Sequence, residues 1–269
     1  MTYFGFLLLF LMIPILVLLG IALLDQRHGR KRDVSLRSWP VWAAVGLHML
    51  VALVYTTPWD NYLVATTVWW YDPALVTGIT LGWVPIEEYT FFILQPILGG
   101  LWLWFLMRRL KFSEHDLRPS LRLWSLATLG IVWVGMTMVL LSGWQPGTYL
   151  ALILVWALPP IMLQLGFGAD ILWRYRSLVL LAIVPLTLYL GIADALAINW
   201  GTWTIDPAQS LTIYLGGVLP LEELVFFLLT NTLVTFGVVL ILAEASRERL
   251  SALKNLIGHA KEPMLGKRR

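Results

Sequence analysis

The chain has 269 residues, of which 59% are hydrophobic and only 13% are charged, with a formal net charge of +3. A soluble domain would carry about twice that share of charged residues, so the composition excludes an ordinary soluble protein. There is no cysteine, which excludes disulfides, thiolate metal sites and iron–sulfur clusters.

Seven apolar runs are long enough to cross a bilayer as helices, which takes roughly 20 residues each. They cover residues 2–24, 40–57, 74–107, 121–142, 147–169, 177–197 and 209–243. We therefore expect an all-α integral membrane protein, a multi-pass protein of the cell membrane with seven transmembrane helices.

The basic residues predict how these helices are oriented. All 19 Lys and Arg residues fall in four segments, 25–39, 108–122, 170–176 and the tail 244–269. Because Lys and Arg collect in cytoplasmic loops, we expect the N-terminus outside and the C-terminus inside. This rule also explains the positive net charge, so no nucleic-acid partner is inferred. The basic cytoplasmic tail is expected either to lie on the inner membrane surface or to be disordered.

Two stretches of the chain share one pattern of residues. Trp69 and Asp72-Pro73 recur 134 positions later as Trp203 and Asp206-Pro207, and Asp60 recurs in the same way as Asp194. At an offset of 135, Pro85-x-Glu87-Glu88-x-x-Phe91-Phe92 recurs as Pro220-x-Glu222-Glu223-x-x-Phe226-Phe227. The pattern predicts an internal repeat.

The repeat predicts the domain organisation. Helices 2 and 3 correspond to helices 6 and 7, and an even number of crossings makes the two units parallel. We expect a first three-helix repeat over 1–107, a linker with helix 4 over 108–143, and a second three-helix repeat over 144–243.

The paired acids Glu87, Glu88, Glu222 and Glu223 are the candidate catalytic residues. An acid within a spanning helix costs a few kcal/mol, and all 19 Lys and Arg residues are assigned to the inner segments and tail, so none is available to pair with it. Burial and the proximity of a second carboxyl both disfavour the ionised form. We therefore expect these residues to be neutral acids and proton donors.

Aromatic residues follow each acid pair. Phe91, Phe92, Phe226 and Phe227 lie one helical turn after the acids. Aromatic faces attract cations, so acid and aromatic wall together suit protonation of an alkene. Pro85 and Pro220 are expected to kink the helices or free backbone groups just before the acids.

Several other residues are candidates for substrate binding, each with a structural alternative. Trp69 and Trp203 could belong to an aromatic belt, and Asp72 and Asp206 could cap helices that begin at the following prolines. Asp60 and Asp194 lie near an outer helix end, and they could likewise belong to the site or have a structural role. Gln95 and Asn231 could hydrogen-bond the acids or the helix interior.

Nucleotide, flavin and metal motifs are absent, so we expect no cofactor and no metal.

The motifs "VPIEEYTFFILQP" and "LPLEELVFFLLTN", preceded by "WWYDP" and "WTIDP", resemble the membrane-embedded, cofactor-independent lycopene cyclases of carotenoid biosynthesis. The chain is similar to the fused form of the two-subunit bacterial type. The resemblance implies an isomerase, or intramolecular lyase. An acid protonates the terminal double bond of lycopene, a six-membered ring closes, and a base removes a proton. Cyclisation at both ends would give γ-carotene and then β-carotene.

The resemblance carries the proton chemistry to the four glutamates and the cation-stabilising wall to the four phenylalanines. The expected partners are a lipophilic carotenoid and the lipid bilayer; association with other carotenoid enzymes is left open. Two alternatives remain at this point: a cyclase of C50 carotenoids or of another ring type, and a proton-coupled seven-helix transporter.

Overall fold

The computed structural model describes residues 1–112 and 117–265, with the backbone alone for 256–265. In this part of the chain, seven helices are long and apolar enough to cross a membrane, as predicted. They are α1 (Tyr3–Arg27), α2 (Val41–Ala65), α3 (Ile86–Met107), α4 (Ser120–Ser142), α5 (Thr148–Arg174), α6 (Arg176–Asn199) and α7 (Leu221–Leu242). Helix α8 (Glu244–Leu265) follows; the last four residues of the predicted tail and part of the predicted linker lie outside the described residues.

Short strands lie between the helices at one end of the bundle. They are β1 (Trp69–Tyr71), β2 (Thr80–Leu81), β3 (Val84–Pro85), β4 (Trp203–Ile205), β5 (Tyr214–Leu215) and β6 (Leu219–Pro220). Strands β2–β3 and β5–β6 form hairpins, whereas β1 pairs antiparallel with β4, 134 residues away, with Tyr71 opposite Trp203. The β1–β4 pair therefore ties the two halves of the chain together.

The predicted start of α3 at residue 74 is wrong. The helix begins at Ile86, because the chain before it turns at Gly78 and Gly82, both with positive φ, and forms the β2–β3 hairpin. That hairpin is rich in apolar residues, and composition cannot distinguish a short apolar strand from a buried helix.

The predicted start of α7 at residue 209 is wrong for the same reason. The helix begins at Leu221, after a hairpin that turns at Gly216 and Gly217 with positive φ. Each corrected helix has 22 residues and is about 33 Å long, close to the roughly 30 Å of a bilayer core. Pro85 and Pro220 sit at the N-caps in extended conformation, so they start the helices and do not kink them, contrary to the expectation.

Helices α3 and α7 form the centre of the bundle, and both bury about half of their residues. They meet where Gln95 donates a 2.8 Å hydrogen bond to Asn231, and Asn231 in turn donates to Thr187 of α6. Helix α4 packs at the periphery and has no buried residue. The molecule thus places α3 and α7, which carry the paired acids, in its interior.

Buried ion pairs lie at the end of the bundle opposite the hairpins. Asp25 of α1 accepts hydrogen bonds from both terminal nitrogens of Arg109, at 2.8 and 3.0 Å, and Arg249 pairs with Asp170 of α5 at 2.6 Å. Arg108 directly follows α3, whereas Glu87 and Glu88 lie in its first turn. The basic end and the paired acids are therefore separated by about 30 Å, the length of the helix.

The close approach of α2 and α3 yields a stability prediction. A Cβ added at Gly100 would lie 3.2 Å from Val45 Cβ and closer still to both of its methyl groups. Because valine is stiff at χ1, Gly100→Ala should destabilise the protein by about 1 to 3 kcal/mol. Thermal unfolding in detergent measures the effect.

Gly130→Ala is the matched control, since an added Cβ at Gly130 of α4 meets nothing within 4 Å. There the gain in helix propensity should leave stability unchanged or raise it by up to about 1 kcal/mol. Equal melting temperatures for Gly100→Ala and Gly130→Ala would contradict this packing.

Candidate active site

The paired acids occupy the first turns of the two central helices. Pro85 and Pro220 fix the extended backbone that ends each hairpin, and the helix begins at the next residue. Free N–H groups and the positive end of the helix dipole make a first turn favourable for acids. Because consecutive residues point about 100° apart on a helix, the two acids of each pair face different surroundings.

Glu87 and Glu222 hold the loops that precede the hairpins. Glu87 accepts a 2.6 Å hydrogen bond from the backbone N–H of Thr77, and Glu222 accepts a 2.7 Å bond from that of Leu211. Both acids are almost completely buried. Neither lines the central cavity described next.

Glu88 and Glu223 face each other across a small cavity of about 50 Å³ between the two halves of the chain. Tyr3 donates a hydrogen bond to Glu88, Tyr71 donates a second one at 3.0 Å, and Tyr149 donates to Glu223 at 2.5 Å. Glu88 therefore has two phenol donors, whereas one phenol donor reaches Glu223.

Two aspartates complete the acidic lining of this cavity. Asp60 of α2 and Asp194 of α6 are 1% and 2% exposed and lie beside the glutamates. Trp203 donates a 3.0 Å hydrogen bond to Asp194, whereas both carboxyl oxygens of Asp60 lack a partner among the described residues. No Lys, Arg or His of the described chain lines the cavity, so its four carboxyl groups have no cation to pair with.

Aromatic rings make up most of the remaining wall. The lining includes Phe91, Phe92, Phe226, Phe227, Trp59, Trp69 and Trp203. Phe91 and Phe227, one from each half of the chain, meet edge to face with their centroids 6.3 Å apart. The structure thus brings together all four predicted phenylalanines and both predicted tryptophans around two of the four predicted glutamates.

The other predicted site residues lie away from this cavity. Asp72 and Asp206 accept hydrogen bonds from the N–H groups of Ala74 and Ala208 within loop turns. They cap no helix, because α3 and α7 begin later than expected. Gln95 and Asn231 bond to each other, as described above, about two turns along their helices from the acids.

The three tyrosines were not found from the sequence. Tyr71 has no counterpart in the second half, where Ile205 stands 134 positions later. Tyr3 and Tyr149 are 146 residues apart, outside the offset of the repeat. For Tyr3 and Tyr149, the available signal was their place in the predicted spans, since each lies at the start of the first helix of its unit. The recurrence of Asp60 as Asp194 left a site role and a structural role open, and the structure places both residues in the cavity wall.

Comparison with known proteins identifies the family. The family model described as "Lycopene cyclase" matches residues 1–106 and 146–241. A lycopene beta-cyclase of Halobacterium salinarum is 40% identical over 198 residues, which cover 74% of this chain and 81% of that protein. A bifunctional lycopene cyclase/phytoene synthase of Aspergillus oryzae is 32% identical over 216 residues, 77% of this chain and 37% of that protein.

No solved structure matches the chain. The family match covers both Glu-Glu motifs and the helices that carry them, and it confirms the resemblance found from those motifs. The chain belongs to the lycopene cyclase family.

Proposed function

We propose that this protein is a lycopene β-cyclase that converts the acyclic ends of lycopene into β-ionone rings. The observation that carries the proposal is the central cavity, in which Glu88 and Glu223 face an aromatic wall and no basic residue of the described chain. The names of the relatives support lycopene as substrate and the β-ring as product.

The acids of the cavity supply the proton chemistry. A buried carboxylate without a cation is costly, so this cluster retains protons that it can give to the terminal double bond of the substrate. The resulting tertiary cation is attacked by the neighbouring double bond, and a six-membered ring closes. A carboxylate of the same cavity then removes a proton, so the reaction gains and loses no atoms and is an isomerisation.

The number of hydrogen-bond donors indicates which of the two glutamates is the acid and which is the base. Donors stabilise the ionised form of a carboxyl group, and Glu88 has two phenol donors against one for Glu223. We infer that Glu223 gives the proton and that Glu88 is the base. Burial and the charge of Glu88 raise the pKa of the Tyr71 phenol well above its usual value, which keeps this donor protonated.

The aromatic wall stabilises the cation between these two proton transfers. Faces of Phe and Trp attract cations and offer no nucleophilic atom that the cation could alkylate. They also exclude water, which would otherwise trap the cation as an alcohol. Glu87 and Glu222 act differently in this proposal, since they fix the loops and the first helical turns that position Glu88 and Glu223.

The architecture is part of the proposal. We infer two parallel three-helix repeats over 1–107 and 144–243, joined by α4. Matched contacts support this inference: Tyr3 N–H bonds to the carbonyl of Leu75, and Tyr149 N–H bonds to that of Gln209, 134 residues after Leu75. The family match omits residues 107–145, which fits a joining segment there.

The first prediction concerns the glutamates. Glu88→Gln and Glu223→Gln should each lower cyclisation by about a hundredfold or more, the usual contribution of an acid or base. Glu87→Gln should retain most of the activity, because glutamine still offers an oxygen to the N–H of Thr77. Expression in a bacterium that accumulates lycopene, followed by chromatography of the pigments, measures all three.

Glu222→Gln is the matched control in the second half of the chain, and it should behave like Glu87→Gln. Protein levels in the membrane are compared for each variant. Full activity in Glu88→Gln, or loss of activity in Glu87→Gln at a normal protein level, would contradict the assignment.

A second prediction concerns location and orientation. We propose that the protein lies in the cell membrane, with the hairpins outside and the basic end and tail inside. Because the chain has no cysteine, single cysteines can be labelled in whole cells. Thr80→Cys in the β2–β3 hairpin should react with a membrane-impermeant maleimide, and Ser120→Cys at the start of α4 should react only after permeabilisation. The reverse labelling pattern would refute this orientation.

A further inference from the structure

An apolar groove between α2 and α5 adjoins the central cavity. Phe91, Phe92 and Phe226 line both the cavity and an adjoining hollow of about 340 Å³. That hollow continues into a second one of about 510 Å³, with which it shares His48, Val51, Leu163 and Gln164. Ligand sites in proteins commonly have volumes of a few hundred Å³ or more.

The groove is suited to a long hydrocarbon chain. Its floor follows α7 from Phe226 to Ile241, about 22 Å along the helix. Among its polar side chains, His48 and Gln164 bond to the backbone carbonyls of Ala44 and Leu233, and Gln95 bonds to Asn231. The serines and Arg247 lie at the end away from the acids, so the part of the groove beside the cavity is mainly apolar.

The matching flank of the bundle is filled by larger side chains. Ala52 lines the groove on α2, and Leu186 stands 134 positions later, on α6, where it is 7% exposed. Likewise Thr56 of the groove corresponds to Leu190, which is 1% exposed. The groove is therefore open on one flank of the two-fold arrangement, whereas leucine side chains fill the equivalent positions on the other flank.

The central cavity alone is too small for the proposed substrate. Its volume of about 50 Å³ leaves no room for the polyene beyond the reacting end. Three of its phenylalanines also border the groove, so a chain lying in the groove ends beside the acids.

We propose that the groove between α2 and α5 binds the unreacted polyene of the substrate while one end reacts at Glu88 and Glu223. This inference rests on the proposed function. The other end then lies toward the basic end of the bundle, beyond reach of the acids. Each ring is therefore made in a separate binding event, and the product with one ring leaves and returns reversed before the second ring forms.

The test is to fill the groove far from the acids. Leu163→Trp and Val51→Trp each add an indole where the two hollows join. Both variants should raise KM for lycopene by about tenfold or more, with little change in kcat. Both variants should cyclise a shortened acyclic analogue, which keeps one end of lycopene but ends before Leu163, as well as the unaltered protein does.

Ile131→Trp on α4 is the matched control, because Ile131 is as exposed as Leu163 and lines neither hollow. It should leave KM for lycopene unchanged, and thermal unfolding in detergent checks that all three variants fold.

Two results would count against the inference, and they differ. An unchanged KM for lycopene in both groove variants would overturn the groove assignment alone. Lipid acyl chains would then be the occupant of the groove. An unaltered protein that cyclises neither lycopene nor the analogue would overturn the proposed function and this inference with it.

Discussion

Four carboxyl groups around one apolar cavity are the constraint on which the rest of this structure depends. Asp60, Glu88, Asp194 and Glu223 lie together without a cation in the described chain, an arrangement that costs free energy unless donors or protons compensate. At the opposite end of the bundle, the buried acids Asp25 and Asp170 are paired with arginines. This contrast between the two ends of the bundle supports the proposal that the acids of the cavity carry out the proton transfers.

The surrounding fold holds these acids in place from both halves of the chain. The hairpins end in prolines that start α3 and α7, so that the glutamates fall in first turns where helix N–H groups are free. The β1–β4 pair then closes the same end of the bundle and brings Tyr71 and Trp203 over the cavity. Neither half could form this site alone, because each contributes one glutamate, one aspartate and part of the aromatic wall.

The sequence predicted the seven spans, the paired acids and the aromatic residues beside them, because hydrophobicity and the repeated motif are local signals. It missed the start of α3, since the apolar hairpin before Ile86 has the composition of a helix. It also could not separate Glu88 from Glu87, because that distinction depends on what packs against each face of the first turn. Tyr149 and Tyr3 were missed because their contacts join residues far apart in the chain, outside the register of the repeat.

The measurement that tests the central claim most directly is cyclisation in heavy water, with an excess of enzyme equilibrated before lycopene is added. If a protein acid protonates the substrate, mass spectrometry should find one deuterium in each ring formed, hence one in γ-carotene and two in β-carotene. Ring formation without deuterium, from an enzyme equilibrated in this way, would contradict protonation by the cavity acids.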